Sequence, residues 1–442
     1  MKTDLDSLMK NDGFLCPSCG RIHSGLLRDC VIRRGAIDAL PSLLAKYGAG
    51  NPFVLCDRDT FRAAGERVCA VLEEAGIPYA LHVVQRTKPA PDERIVGEAV
   101  MSCPVDCGAV IAVGGGVLND TGKFVAAAKN VPDIIVGTAP SMDGFASATS
   151  AMELEGLKVS LNSRCPDAVV ADPEILAAAP VHMVRSGIGD MLAKFVSLAE
   201  WKIAALLFGE YYCETVASIV RQALVVCMEA APAAVNGEGE AAARVTEGLV
   251  LSGLCMNYAG ISRPASGMEH YISHVLDMRA LAFGTPADLH GIQCGIASLV
   301  VVREYEKLAG YAPDRERALA FAGKHDMAAR NAWLRERLGA GAEAMIRLER
   351  KEGKYDPEKH KIRLEKILAH WDGIRAVIAE LPSSTELEAF MKKIGHPTSF
   401  SEIGVSEEDA RQAFLMAGDI RDKYVLGRLL WDLGIPEGAP EK

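Results

Sequence analysis

Ala109-Val110-Ile111-Ala112-Val113-Gly114-Gly115-Gly116-Val117-Leu118-Asn119-Asp120 runs from a short apolar segment through three glycines into a helical pattern. Five β-branched and small apolar residues stopped by glycine are strand chemistry. A helix N-terminus presents unpaired N–H groups and a partial positive charge, and glycines let a pyrophosphate come close to that backbone. Glycines in series also serve in ordinary tight turns, so it is the order strand, glycines, helix that points to a phosphate.

The same alternation extends on both sides. Phe53–Asp57 and Ala80–Val84 read as strands, with helical patterns over Thr60–Gly76 and about 92–102 between them and the glycine segment. A helix is expected through Lys129, then a strand Ile134–Val136, then a hairpin pairing Lys158–Leu161 with Ala168–Ala171 ahead of Pro173. Strands that alternate with helices make a parallel sheet of βαβ units, with ligands bound beyond the carboxyl ends of the strands. After Pro180 the apolar period becomes 3.6 and strand signals nearly vanish. The expected organisation is an N-terminal extension over 1–30, an α/β dinucleotide-binding domain of Rossmann-like character over 31–178, and an all-α domain over 179–442. Arg347–Lys366 is crowded with charge and reads as a solvated helix face or connector.

A chain of 442 residues exceeds what one core usually organises. The net charge of −10 argues against nucleic acid as a partner, because affinity for a polyanion comes from basic surface. No uncharged apolar run reaches the length of a spanning helix. Met1–Gly13 lacks the apolar core of a secretory signal. The twelve cysteines, mostly single within apolar segments, fit reduced thiols and a cytoplasmic location. One cluster stands apart: Cys16-Pro17-Ser18-Cys19, then His23 and Cys30, either a zinc knuckle or a β-hairpin with incidental thiols.

Three histidines draw attention. His270 and His274 are four apart and share a helix face, and His290 follows in Leu289-His290-Gly291. With Asp190, in Gly187-Ile188-Gly189-Asp190, two imidazoles and one carboxylate would leave positions on a divalent metal open for a substrate oxygen. Spacing alone does not establish such a set, since Asp190 precedes His270 by 80 residues.

Gly114, Gly115, Gly116 and Asp120 resemble the iron-containing alcohol dehydrogenase superfamily and its dehydroquinate synthase relatives rather than the common dinucleotide fingerprint. Thr138-Ala139-Pro140-Ser141-Met142-Asp143-Gly144-Phe145-Ala146-Ser147 is similar to a segment of the sn-glycerol-1-phosphate dehydrogenases. The resemblance implies that Thr138, Ser141 and Ser147, with Ala139, Pro140 and the glycine turn through Val117 and Leu118, contact the cofactor, and that Asp143 holds substrate hydroxyls. The segments around Asp190, His270 and His290 resemble that family's metal ligands, with His274 facing substrate. An Asp in the first ligand position stands against the dehydroquinate synthase branch, which is expected to carry Glu. Glu402–Ser406 and Ile420–Leu426 resemble tail segments of the glycerol-1-phosphate enzymes, and the likeness spans roughly 30–435. One departure concerns His290-Gly291, which continues as Ile292-Gln293-Cys294 where the family often has Glu and Val; a carboxylate supporting the metal ligands is therefore expected to be missing.

The implied protein is a homo-oligomeric, metal-dependent enzyme using zinc, nickel or iron. It would move a hydride between NAD(H) and C2 of a small phosphorylated polyol, dihydroxyacetone phosphate and sn-glycerol 1-phosphate being the pair. Asp57, ending the first strand, would accept hydrogen bonds from a ribose diol and favour NAD(H) over NADP(H), or else merely end the strand. Lys123 and Lys194 are the candidates for the substrate phosphate. The alternatives are a dehydrogenase of unphosphorylated glycerol or a similar diol, a cyclising lyase that uses NAD transiently, and a regulatory protein without catalysis.

Overall fold

Strands whose every residue is apolar need cover on both faces, and the central strands here have it. In the computed structural model, which describes residues 13–86, 89–155 and 157–438, six strands form one sheet. They are β3 Asp29–Ile32, β4 Phe53–Asp57, β5 Ala80–Val84, β6 Val110–Gly114, β7 Asp133–Gly137 and β10 Ala168–Ala171. Their order is β3-β10-β7-β6-β4-β5 and every pairing is parallel. The remaining strands make two small hairpins, β1 Phe14–Leu15 with β2 Ile22–His23, and β8 Thr149–Leu154 with β9 Leu157–Asn162.

Helices cover both faces. Val54, Cys56, Ile111, Val113, Val136 and Val170 pack with Leu40 and Leu44 of α1 (Leu40–Tyr47) and Val68 and Leu72 of α2 (Glu66–Glu74). Phe53, Leu55 and Val110 pack with Ile95 and Ala99 of α3 (Glu93–Ser102) and Leu118 and Val125 of α4 (Gly116–Lys129). Each fully buried large apolar side chain contributes about 1.5–3 kcal/mol. Helix α4 lies so close to the sheet that a Cβ on Gly122 would stand 2.6 Å from the Cβ of Ala112.

The expected hairpin between Lys158–Leu161 and Ala168–Ala171 is corrected. β9 pairs with β8, and Ala168–Ala171 enters the sheet between β3 and β7. All four residues of β10 are buried, whereas β8 and β9 mix buried with more exposed positions. A strand without a polar face belongs inside a sheet, not on a hairpin.

The chain divides into two compact units, one of residues up to Met191 with Thr215–Ile261, the other of Leu192–Glu214 with Ser262–Lys442. The strands end at β10, close to the expected switch to helical sequence. The units divide elsewhere: α5 (Val181–Phe208) runs through both, and Thr215–Ile261, which includes α7 (Gly239–Ala259), groups with the sheet. The intervening helix α6, Glu214–Ala234, meets the length and composition of a membrane span at a mean hydropathy of 1.4, but half of that window is buried.

Among its described residues the second unit has helices and no strand; after the end of α5 come α8 (Met268–Phe283) and α9 (His290–Ala309). The charged stretch around 347–366 is only partly solvated. Glu349 and Lys354 are buried, and the Lys354 ammonium donates to the carbonyls of Asp419 and Arg421.

The N-terminal set is also corrected in one member. Cys16, Cys19 and His23 lie on the β1–β2 hairpin, while Cys30 stands in β3, paired with Val169, and faces a cavity lined by Ala223 and Leu251. Residues 1–12 of the expected extension lie outside the described residues.

Candidate active site

In the first unit, β6 delivers Gly114 to the carboxyl end of the sheet and α4 starts at Gly116. The Thr138 N–H donates to the Gly114 carbonyl at 3.3 Å, so the glycine turn and the 138–147 segment are neighbours, as the pairing of β6 with β7 requires. A Cβ on Gly115 would stand 3.4 Å from the Ser141 hydroxyl, and one on Gly116 would stand 3.5 Å from the Met142 sulfur. The first-turn N–H groups of α4 are the unpaired donors that a pyrophosphate would use. Leu118 turns its side chain into the core, which leaves its backbone for any cofactor contact. Ala139 is buried.

Two glycines bring helices onto the 138–147 loop. A Cβ on Gly187 would fall 1.9 Å from the Pro140 carbonyl, and one on Gly253 would fall 2.8 Å from that of Asp143. On α5, Ser186 donates to the Ser141 carbonyl at 3.0 Å, and Asp190, one turn further, accepts the Asp143 N–H at 2.8 Å. The Ser252 hydroxyl of α7 donates to the Asp143 carboxylate at 2.8 Å. Asp143 is thereby fixed from its backbone and its side chain, and Asp190 is wholly buried beside it.

Other residues named from the sequence have structural duties. Asp57 caps the helical turn that follows β4, its Oδ1 accepting the N–H groups of Asp59 and Thr60 at 3.0 and 2.8 Å. The Ser147 hydroxyl donates to the Thr149 carbonyl at 2.8 Å. The Asp120 carboxylate accepts the Ala151 N–H at 3.0 Å and ties α4 to the β8–β9 hairpin. Lys123 donates to the carbonyls of Gly144 and Thr149 at 2.8 and 3.2 Å, and Lys194 donates to that of Ala265 at 3.1 Å. Both lysines are buried, and the Lys123 ammonium also lies 3.6 Å from the Asp120 carboxylate.

In the second unit, α8 begins after Gly267, which has no side chain to cap it. Two buried carboxylates do so instead: Glu269 accepts the Gly267 N–H at 2.7 Å, and Glu200 accepts the Met268 N–H at 2.9 Å. A Cβ at position 267 would fall 2.5 Å from the Glu200 carboxylate and 2.7 Å from that of Glu269, so a side chain there would displace both caps. Burial, and then the charge of Glu269, push the Glu200 carboxyl up to about 8.

Glu269 also accepts from His270 Nδ1 at 2.9 Å. His290 Nδ1 meets the Ser273 hydroxyl at 2.9 Å, and Gln293 donates to that same oxygen at 3.1 Å. Nδ1 of each imidazole is held by an oxygen, which orients both rings, and the Glu269 carboxylate, an acceptor only, sets the His270 tautomer with its proton on Nδ1. The His270 and His290 ring centroids are 4.9 Å apart, and His274, half-buried, stacks 5.4 Å from His290.

Cys294 joins the pair. Its sulfur is 3.5 Å from His290 Nε2, and the donor atoms of His270, His290 and Cys294 lie within 4.8 Å of one another. Metal–nitrogen and metal–sulfur bonds of about 2.0 and 2.3 Å span a tetrahedral edge of about 3.5 Å, so this donor set fits a soft divalent ion. Burial raises the Cys294 thiol, but the two imidazoles outweigh it and the net shift is downward.

The expected lack of a carboxylate behind the ligands is corrected, because Glu269 fills that place from the residue before His270. The signal was adjacent in the sequence, but the expectation looked for it after His290. Cys294, one helical turn beyond His290, was quoted there only as a departure; the i,i+4 spacing was the sign that it shares the histidine's face.

A sequence model of the iron-containing alcohol dehydrogenase family matches residues 31–180. The chain is 31% identical over 439 residues to a glycerol-1-phosphate dehydrogenase, NAD(P)+, of Bacillus licheniformis, covering 98% of this chain and 96% of that one. It is 30% identical to the enzyme of the same name from Bacillus subtilis, covering 90% and 89%. Among solved structures, a glycerol dehydrogenase from Schizosaccharomyces pombe aligns with a TM-score of 0.59 at 18% identity, covering 97% of this chain and 89% of that one, a likeness of fold.

Proposed function

Since the chain belongs to the glycerol-1-phosphate dehydrogenase family, among the iron-containing alcohol dehydrogenases, we propose that it interconverts dihydroxyacetone phosphate and sn-glycerol 1-phosphate with NAD(H). The observation that carries this reading is the held imidazole pair, His270 on Glu269 and His290 on Ser273. We assign one divalent metal to Asp190, His270 and His290, and the cofactor pyrophosphate to the first-turn N–H groups of α4 at Gly114–Gly116, Val117 and Leu118. The metal supplies Lewis acidity at the C2 oxygen, and the nicotinamide gives or takes the hydride at C2.

The chain's own residues do the rest. Asp143, anchored by Ser252, binds substrate hydroxyls. Glu269 keeps the His270 proton on Nδ1 and Ser273 orients the His290 ring, which aims Nε2 of each. His274 holds or releases the hydroxyl proton, since imidazole chemistry suits neutral pH. Thr138, Ser141 and Ser147, with Ala139 and Pro140, line the cofactor side, and Asp57 biases it toward NAD(H) by opposing a 2′-phosphate. Zinc is the metal we favour over nickel and iron, because the Cys294 sulfur softens the donor set. A cytoplasmic homodimer or higher homo-oligomer completes the reading, in keeping with twelve cysteines that form no disulfide.

Comparing dihydroxyacetone phosphate with dihydroxyacetone in an NADH-oxidation assay tests this directly. The phosphate ester is expected to win by at least two orders of magnitude in kcat/KM. Equal turnover of the two would move the enzyme to the unphosphorylated diols.

A further inference from the structure

We propose that Cys16, Cys19 and His23 bind a structural zinc ion that fastens the N-terminal hairpin to α7, at a site separate from the one described above. The hairpin poses the question itself. Its strands are two residues each, and the apolar side chains of Leu15 and Ile22 are 72% and 73% exposed. A two-stranded ribbon of that size, with its apolar residues in water, has too little burial to hold its own shape. No disulfide joins Cys16 or Cys19 to another cysteine.

What the hairpin does have is a set of soft donors aimed inward. The Cys16 N–H donates to the Arg21 carbonyl at 2.8 Å and the Gly20 N–H donates back to Cys16 at 2.9 Å, which folds Cys-Pro-Ser-Cys into a tight knuckle. Gly20 takes a φ of 69°, where glycine is favoured, and so lets the chain turn back. Cys19 Sγ then lies 3.3 Å from His23 Nε2, close to the tetrahedral edge of about 3.5 Å that zinc imposes between sulfur and nitrogen. The donor atoms of all three residues lie within 4.8 Å of one another.

His23 is also prepared for the role. It is buried, and its Nδ1 donates to the Tyr258 carbonyl at 2.7 Å, leaving Nε2 as the lone-pair nitrogen that faces the thiols. A ligand histidine held through its other nitrogen by a carbonyl is the usual support of a zinc site. Packing then links hairpin to helix: Phe14 lies edge-on to Tyr258, and Gly25 has no room for a Cβ, which would fall 2.6 Å from Leu254. Helix α7 also carries Ser252, the partner of Asp143, so the ion would brace the element that positions that carboxylate.

Metal content of the full-length protein decides the matter, in a His270→Ala, His290→Ala background so that the result does not depend on the catalytic assignment. One zinc per chain is expected there, and none after adding Cys16→Ser with Cys19→Ser or adding His23→Ala. Should a variant not fold, cobalt is titrated into the unmutated hairpin in the same background, where a thiolate-to-cobalt charge-transfer band is expected at one equivalent. Zinc content that survives loss of both thiols, or a cobalt spectrum without thiolate bands, overturns the proposal.

Discussion

The glycine turn of the first unit and the imidazole pair of the second are built by opposite means. The turn works through backbone: its side chains are missing or buried, and its shape follows from one strand, one helix and the clearance around Gly115 and Gly116. The imidazole pair works through side chains from two helices, and it owes its shape to partners that hold each ring, Glu269, Ser273 and Gln293. Backbone sites tolerate change at most positions other than their glycines. Side-chain sites fail one partner at a time.

That difference orders the expected effects. His270→Ala should reduce kcat/KM by about 10³-fold or more, roughly 4 kcal/mol of barrier, together with loss of the catalytic one of the two metal ions per chain in elemental analysis. A variant that keeps both metal and activity would remove the imidazole pair from the account. Glu269→Gln keeps the shape but withdraws the charge behind His270; metal affinity read by chelator competition should fall about 10–100-fold. An unchanged affinity would mean that the Glu269 carboxylate matters only as a cap for α8.

The sheet offers a pH test. Burial pushes the Asp133 carboxyl up to about 7, against the opposing pull of Lys123. Between the ordinary carboxylate range and pH 7 the folded state therefore holds the proton more tightly than the unfolded state, so this group's contribution to stability falls as pH rises through that window. Asp133→Asn should remove the slope, gaining on the order of 1–3 kcal/mol relative to the parent between pH 5 and 8 in urea melts. Parallel curves would show that Asp133 ionises normally. The smallest effect is at the edge of the cofactor site. Asp57→Asn retains a capping oxygen, so stability should change by only a few tenths of a kcal/mol, while use of NADPH relative to NADH rises several-fold. No change in that ratio would leave Asp57 as a cap and nothing more.

How much of this could be read from the chain alone follows the same division. β4, β5 and β6 were legible because each is a local apolar run bounded by breakers. The partner of β9 was not, because pairing is a long-range choice: Ala168–Ala171 has no polar face, and that decides its place only once the helices covering it are known. Helical character after Pro180 was legible as a period, yet the assignment of Thr215–Ile261 to the sheet's unit depends on packing that no period encodes. At the site, the histidines stood out by spacing, whereas the duties of Lys123 and Lys194 became visible only with the carbonyls they bind. Cys30 looked like a fourth thiol by distance along the chain and is a sheet residue in space.

The most direct measurement strips the protein of metal and follows NADH oxidation by dihydroxyacetone phosphate while zinc, nickel or iron is returned. Activity should be absent from the stripped protein and return as metal is added up to two equivalents per chain in the parent, and it should not return in His270→Ala, His290→Ala at any metal concentration. Full turnover by the stripped enzyme, or recovery in the double variant, would contradict the assignment of the imidazole pair to the catalytic metal.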